Sequence, residues 1–130
     1  MTTTRKQVWF ALVMASLAGC SSASTTPRVC TAEFVYGISV RVRDSVSGAP
    51  TASGATLVAR DGSYADSVRA VGGLDADAIP LSVAGERAGI YSLTLRKAGF
   101  GDWTLQGVRV ERGECHVVPV ALTALLQRLR

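Results

Sequence analysis

The sequence predicts an all-β fold, a single antiparallel β-sandwich of about seven strands. Two observations support this prediction. Several short segments between residues 33 and 124 alternate apolar and polar residues with a period of two, which is the pattern of a strand with one buried face. Turn-forming Gly, Pro, Asp and Ser separate these segments at hairpin spacing, and no amphipathic helical segment lies between them. Such strands can bury their apolar faces only against another sheet, so we expect a sandwich.

The first half of the domain is predicted to contain three strands, and the clearest turn signal lies between the second and the third. Ile38, Val40 and Val42 alternate with polar residues and predict the first strand. A loop rich in turn-forming residues follows. Asp61-Gly62 then separates two strand-like segments, and this dipeptide predicts a hairpin because both residue types tolerate positive φ.

The second half of the chain continues the alternation. A Gly- and Asp-rich loop precedes it, and further strands are predicted at 81–84, 89–96, 102–110 and 115–123. The clearest of these has Tyr91, Leu93 and Leu95 on one face. Pro119 interrupts the last segment, and because proline has no N–H to donate, we expect the last strand either to lie at a sheet edge or to hold the position of the missing N–H outward.

The C-terminal tail, residues 125–130, differs from the strands in its spacing. Leu122, Leu125, Leu126 and Leu129 follow one another at i, i+3, i+4 and i+7. This spacing predicts one apolar stripe on a short C-terminal helix. Such a helix would cap the sandwich, touch a membrane or dock a partner; a frayed tail is the alternative.

Residues 1–19 are predicted to be a secretory signal peptide. Arg5 and Lys6 form a basic start, residues 8–17 are apolar, and the small residues Ala18 and Gly19 follow. A membrane-spanning helix needs about 20 apolar residues, so this segment is too short to span comfortably.

The end of this segment suggests a lipid anchor. Leu17, Ala18, Gly19 and Cys20 resemble the lipobox of bacterial lipoproteins, which signal peptidase II cuts before the cysteine. The resemblance implies that Cys20 carries diacylglycerol, with fatty acids such as palmitate, and stable membrane binding requires at least two such chains. Ser21, where an inner-membrane retention signal would have Asp, favours the outer membrane over the inner. An ordinary signal peptide followed by a chance cysteine is the alternative.

The mature chain is predicted to consist of a tether, one domain and a tail. Residues 20–32 are small, polar and interrupted by Pro27, so they cannot bury enough apolar area to fold and are expected to be a flexible tether. Residues 33–124 form the sandwich and 125–130 the tail. The chain has 14 Lys and Arg against 10 acidic residues. Two of the basic residues leave with the signal and the others are scattered, so no nucleic-acid partner is predicted.

Cys30 and Cys115 remain once Cys20 is acylated. An exported protein enters an oxidising compartment, where disulfides persist, so we predict a bridge between them. A pair of unbridged thiols is the alternative. Two cysteines and the single His116 do not form a zinc site, and Asp75 and Asp77 lack the further oxygen donors of a calcium loop. No metal and no cofactor are predicted.

A family resemblance accompanies these patterns. Residues 36–123 resemble the carboxypeptidase regulatory-like domain, a small transthyretin-like, Ig-like β-sandwich. The matching pieces are Val40 to Asp44, Ser47 to Pro50, Ala55, Gly89 to Leu93, Ala98 to Phe100 and Val118 to Leu122. The sequence before Gly89 departs from the family pattern. The resemblance implies a non-catalytic accessory or adhesion-type module and supplies no catalytic residues.

No enzymatic site is predicted. His116 is adjacent to Cys115, and neighbouring residues on a strand point to opposite faces, so they would not form a nucleophile and base pair. The sequence contains no Gly-x-Ser-x-Gly motif. A transthyretin-like ureide hydrolase uses several histidines, which this chain lacks. The catalytic residues are therefore predicted to be none.

Two features are candidates for binding. Trp103 is either an exposed aromatic for glycan or protein contact or an inward-facing core residue. A basic patch for an anionic partner would form if neighbouring strands held Arg41, Arg43, Arg109 and Arg112; a solvated face is the alternative. We therefore expect a non-catalytic, membrane-anchored lipoprotein of the cell envelope. Its role would be structural or in binding an envelope protein, or alternatively in binding carbohydrate or peptidoglycan.

Overall fold

The computed structural model describes residues 29–73 and 75–130. The predicted signal peptide, the lipobox residues Leu17, Ala18 and Gly19, the lipidation site Cys20 and most of the tether lie outside the described residues. The strands are β1 (Tyr36–Asp44), β2 (Thr56–Asp61), β3 (Tyr64–Arg69), β4 (Leu81–Gly85), β5 (Gly89–Arg96), β6 (Trp103–Arg112), β7 (Val117–Val118) and β8 (Val120–Leu126). The described part of the chain contains no helix.

Two sheets pack face to face around one core, so the prediction of an all-β, two-sheet architecture is confirmed. The smaller sheet has the strand order β4-β1-β8, and the larger has the order β3-β2-β5-β6-β7. The count is eight strands and not about seven, because the last predicted segment is divided at Pro119. Both sheets contribute to the core, whose largest fully buried side chains include Tyr91, Ile38, Leu57, Leu93, Leu95 and Leu126.

The period-two pattern places the core correctly on β5. Tyr91, Leu93 and Leu95 are fully buried, whereas the residues between them face outward. On β6 the alternation is interrupted by a bulge. Tyr91 pairs with Val108 but Leu93 pairs with Leu105, so β6 has one extra residue between these pairs. Gly107 lies in this bulge and adopts the left-handed conformation, with φ of 72°.

The predicted hairpin is present between β2 and β3. Asp61 pairs with Tyr64, so the two turn residues are Gly62 and Ser63, one position later than the Asp-Gly signal suggests. Gly62 has φ of 59°, as a type II′ turn requires of its first central residue.

Pro119 marks the point at which the chain changes sheets. β7 ends the larger sheet, and β8 begins directly after Pro119 at the edge of the smaller one. A residue without an N–H fits this crossing, because no ladder hydrogen bond is lost there. The expectation that the last strand lies at an edge is confirmed.

The predicted C-terminal helix is wrong, and so is the purely antiparallel arrangement. Leu122, Leu125 and Leu126 lie on β8, which pairs in parallel with β1 from Ile38↔Val120 to Asp44↔Leu126. The buried positions alternate, with Ala124 and Leu126 inside and Leu125 exposed. Ala, Leu, Gln and Arg are good helix formers, but the seven-residue ladder with β1 outweighs this local propensity. Leu125 and Leu126 therefore belong to the sheet and not to a tail.

Candidate functional site

The chain enters the sandwich through a cross-linked segment at one end, which we call the tether end. The structure joins Cys30 to Cys115 in a disulfide with a Cα–Cα distance of 5.4 Å, the pairing that the sequence favours. The sequence separation is 85 residues. Because the bridge closes such a long loop, the chain-entropy model assigns it about 4 kcal/mol of stability.

Glu86 adds a second connection at the tether end. Its Oε1 accepts hydrogen bonds from the Val35 amide at 2.7 Å and pairs with His116 Nδ1 at 2.8 Å. The amide of Glu86 in turn donates to the Val35 carbonyl at 2.8 Å. These bonds, that from Val35 first and that from His116 next, hold the pKa of Glu86 below its usual value although burial opposes the shift. His116 therefore holds the Glu86 side chain in position. The sulfur of the adjacent Cys115 is bonded to that of Cys30.

Arg87 organises the neighbouring turns. Its Nη1 donates to Asp61 Oδ2 at 2.7 Å and to the Tyr91 hydroxyl at 3.1 Å, while the Tyr91 hydroxyl donates to the Arg87 carbonyl at 2.9 Å. The guanidinium lies 4.1 Å from the centroid of the Tyr64 ring. The hydrogen bond to Asp61 is the main cause that raises the pKa of Arg87. A Cβ at Gly89 would lie 2.5 Å from Asp61 Oδ2, so a larger residue there would displace the Asp61 side chain that pairs with Arg87.

The opposite end, which we call the distal end, depends on Asp44. Its carboxylate is buried and accepts hydrogen bonds from the amides of Val46 at 2.9 Å and Ser47 at 3.1 Å, and from Arg128 Nε at 2.7 Å. The bonds from Ser47, Val46 and Arg128, in that order, lower the pKa of Asp44 to about 2. Asp44 thereby connects the β1–β2 loop to the C-terminal residues.

The two sides of the sandwich differ. On one side the edge strands β3 and β4 are connected, because the Ala84 amide donates to Asp66 Oδ2 at 2.8 Å. On the other side β8 ends the smaller sheet, and β7 pairs only with Glu111 and Arg112 of β6. Within the described residues no strand pairs with the outer edge of β8. We call this the open side.

The edge of β8 has no features that discourage strand pairing. Its sequence, Val-Ala-Leu-Thr-Ala-Leu-Leu, has no charge and no proline over seven residues. The edge strand β3 has Asp66 and Arg69, and β7 has only two residues. Leu125 is exposed, and Val120 and Leu122 are only partly buried against the core. The open side is thus the most suitable place for another strand to add.

Trp103 lies at the distal end of the open side. It pairs with Leu95 and packs partly buried against the core, so the structure combines the two alternatives for this residue: an inward-facing ring with some exposure. A surface hollow of about 330 Å³ adjoins it, and the residues that line this hollow are Ser45, Gly101, Asp102, Trp103, Leu125 and Gln127. An aromatic surface beside carboxylate and amide groups is a chemically suitable site for a sugar.

The four candidate arginines do not form one patch. Arg41 and Arg43 lie on β1 of the smaller sheet, and Arg109 and Arg112 lie on β6 of the larger sheet. Because β1 and β6 are not neighbours, the condition for a common basic face is not met. Arg43 instead donates to the Gly48 carbonyl at 2.7 Å. Arg41 borders a hollow of about 370 Å³ on the smaller sheet, together with Ser39, Pro80, Ala121, Leu122 and Thr123.

Sequence reasoning did not find the roles of Asp44, Asp61, Glu86 and Arg87. Their partners lie far away along the chain, as between Glu86 and Val35. The one available signal was that Glu86 and Arg87 lie in the loop before Gly89, where the sequence departs from the family pattern. The open side was also missed, because it depends on the order of strands in each sheet.

No family model matches the chain, and a search of curated proteins finds no match. Within residues 29–73 and 75–130, no group of three or more His, Cys, Asp and Glu residues is arranged to hold a metal ion. The same residues include no helix of the length and hydropathy needed to cross a membrane.

Proposed function

We propose that this protein is a non-catalytic lipoprotein of the bacterial cell envelope, anchored through acylated Cys20, that binds another envelope protein along the edge of β8. The lipobox-like residues Leu17 to Cys20 support the anchor. The transthyretin-like and carboxypeptidase regulatory-like assignment and the preference for the outer membrane belong to the same proposal. The observation that carries the binding role is the long, uncharged edge of β8.

The physical argument for this binding mode concerns the backbone of β8. The outer edge of a terminal strand presents N–H and C=O groups that a partner strand can satisfy. Proteins usually protect such edges with charges, prolines or short strands. On the opposite side, Asp66 connects the two edge strands β3 and β4. β8 lacks comparable protection, so a partner strand is the simplest way to complete its hydrogen bonding.

The anchor is tested by mass spectrometry of the protein purified from its native membrane. We expect a mature chain that begins at Cys20 with the added mass of diacylglycerol and fatty acid. A Cys20→Ser variant should be released from the membrane. A mature wild-type protein with an unmodified thiol at Cys20 would refute the anchor.

The binding edge is tested by photocrosslinking in intact cells. A benzoylphenylalanine at Thr123, exposed on β8, should form a discrete adduct, whereas the same group at Ser67, exposed on the other edge strand β3, should not. Leu125→Lys should abolish the adduct, because a charge on an edge strand discourages pairing. Equal adducts from both positions would contradict the proposal, and an adduct of two copies of this chain would identify self-association instead.

A second candidate function is glycan binding, which the hollow beside Trp103 favours. The chain has two tryptophans, and Trp9 lies in the predicted signal peptide, so Trp103 is the only one in the mature protein. Peptidoglycan fragments that bind in this hollow should shift the emission of Trp103. Asp102→Asn should weaken that response, and an unchanged spectrum at saturating fragment concentrations would exclude the hollow.

A further inference from the structure

Two exposed aromatic side chains lie next to the point where the tether meets the sandwich. Phe34 is 61% exposed and Tyr36 is 47% exposed, and their ring centroids lie 5.1 Å apart in an edge-to-face arrangement. Val29, a few residues earlier, is 90% exposed. We call Val29, Phe34 and Tyr36 the tether-end patch. Exposed apolar side chains this close together in the sequence are typical of a site that contacts a protein or a membrane.

The position of the Phe34 ring is built into the fold. The ring lies directly over Gly85, where a Cβ would be only 2.1 Å from Phe34 Cζ, so the adjoining strand end needs glycine to accommodate it. Tyr36 pairs with Gly85 in the β1–β4 ladder. The disulfide of Cys30 and the hydrogen bonds between Val35 and Glu86 hold the chain on both sides of Phe34. The rings of Phe34 and Tyr36 are therefore a fixed part of the sandwich, and Val29 precedes them on the other side of the disulfide.

The length of the tether determines what this patch meets. Eight residues lie between Cys20 and Val29, and the nine steps from one Cα to the other span at most roughly 30 Å in an extended chain. If Cys20 is acylated, as the proposed function states, the tether end is held close to the lipid headgroups. Aromatic rings, and those with a polar hydroxyl such as Tyr36 above all, favour the interface between headgroups and hydrocarbon.

The charges near the patch indicate how it would bind. Glu33 is exposed beside it, while Glu86 is paired with His116 and Asp61 is paired with Arg87. Glu33 would repel anionic headgroups, and Arg28, which directly precedes Val29 in the sequence, would offset this repulsion, so the patch gains little net attraction from charge. Binding would therefore depend on apolar contact and be insensitive to salt.

We propose that Val29, Phe34 and Tyr36 form a bilayer-contacting patch that seats the tether end of the sandwich in the headgroup region. This inference rests on the proposed lipid anchor at Cys20. It gives the domain a defined orientation, with the distal end and its Trp103 hollow directed away from the membrane. The edge of β8 would then stand roughly upright on the bilayer, accessible to a partner along its length.

Hydroxyl-radical footprinting tests the proposal without changing any residue of the patch. The acylated wild-type protein in vesicles of phosphatidylethanolamine and phosphatidylglycerol is compared with the Cys20→Ser protein in solution. We expect oxidation of Phe34 and Tyr36 to fall several-fold in the vesicles, at low and at high salt, while oxidation of Trp103 stays the same. Equal oxidation of Phe34 and Tyr36 in both samples would overturn the inference.

A fluorescence measurement provides an independent readout. In a Phe34→Trp, Trp103→Phe protein the only mature tryptophan lies in the patch, and brominated lipids should quench it strongly. The matched control is the wild-type protein, whose Trp103 at the distal end should not be quenched. If brominated lipids quenched the variant and the wild-type protein to the same small extent, the patch would not lie in the headgroup region and the inference would be wrong.

The outcomes separate this inference from the proposed function. If the protein is acylated and sediments with the vesicles but the patch stays accessible, the anchor stands and the seating is wrong. If the mature protein carries no acyl chain, both are wrong. Protection of the patch in intact cells but not in protein-free vesicles would also overturn seating, and would assign the patch to a protein partner.

Discussion

The two ends of the sandwich are held together by different chemistry. The tether end has a disulfide, the Glu86 bonds to Val35 and His116, and the Arg87 cluster. The distal end has no disulfide among the described residues, and its loops and C-terminus are joined mainly through the buried carboxylate of Asp44. The end where the proposed anchor would pull is thus covalently closed and keeps its disulfide in acid, even when Glu86 is protonated, whereas the other end depends on hydrogen bonds to Asp44 that acid can remove.

The largest difference between the ends should come from the disulfide. Replacing Cys30 and Cys115 with Ser should lower the free energy of unfolding by about 4 kcal/mol, because the denatured chain regains the freedom of a long loop. Urea denaturation measures this loss. A reductant should destabilise the wild-type protein similarly and leave the double variant unchanged. A wild-type midpoint that does not respond to reductant would mean that the bridge adds no stability.

Within the tether end, the hydroxyl of Tyr91 should matter next. Tyr91→Phe removes the donor to the Arg87 carbonyl and an acceptor for the Arg87 guanidinium. We expect a loss of about 1–2 kcal/mol in thermal or urea unfolding, because the ring is fully buried and its former partners lose their bonds. Tyr64→Phe is the matched control: it keeps the ring that contacts Arg87, and should change stability by less than about 0.5 kcal/mol. Equal losses from both variants would contradict the assigned role.

The distal end should be the more acid-sensitive through Asp44. The pKa of its carboxyl is lowered in the fold from 3.8 to about 2. A lowered pKa adds stability that is fully present above about pH 4 and is lost as the pH falls toward 2. Melting temperatures measured across this range should fall less steeply for Asp44→Asn than for the wild type. Arg128→Ala, which leaves the bonds from Val46 and Ser47 in place, should retain most of the wild-type slope.

How far the sequence predicts this molecule depends on the range of the interactions. Tyr91, Leu93 and Leu95 were placed correctly because the alternation that buries them is local. The C-terminal leucines were misread because Ala124, small and at a buried position, hides the alternation that continues through Leu122 and Leu126, and the parallel ladder with β1 has no local signal.

The candidate sites follow the same rule. The pairing of Cys30 and Cys115 was predictable because the lipobox resemblance assigns the third cysteine, Cys20, to the proposed lipid anchor. The partners of Glu86 and Asp44, and the separation of Arg41 from Arg109, depend on sheet order and could not be derived from spacing. The open side can be recognised only from the strand order of both sheets.

The smallest effect on stability should come from the ion pair between Arg96 and Asp102, which has a short N–O distance like the other pairs but lies on the surface. Arg96 Nε lies 2.8 Å from Asp102 Oδ2, close to the separation in the Arg128 pair, but its two side chains are 71% and 52% exposed. Water and salt screen such a pair, so Arg96→Ala should change the free energy of unfolding by at most about 0.5 kcal/mol. Asp44→Ala should cost clearly more in the same urea titration, because the Asp44 side chain is only 3% exposed and also holds two backbone amides. If the two variants were equally destabilised, burial would not be what distinguishes the carboxylate that joins the distal loops from one that merely lies on the surface.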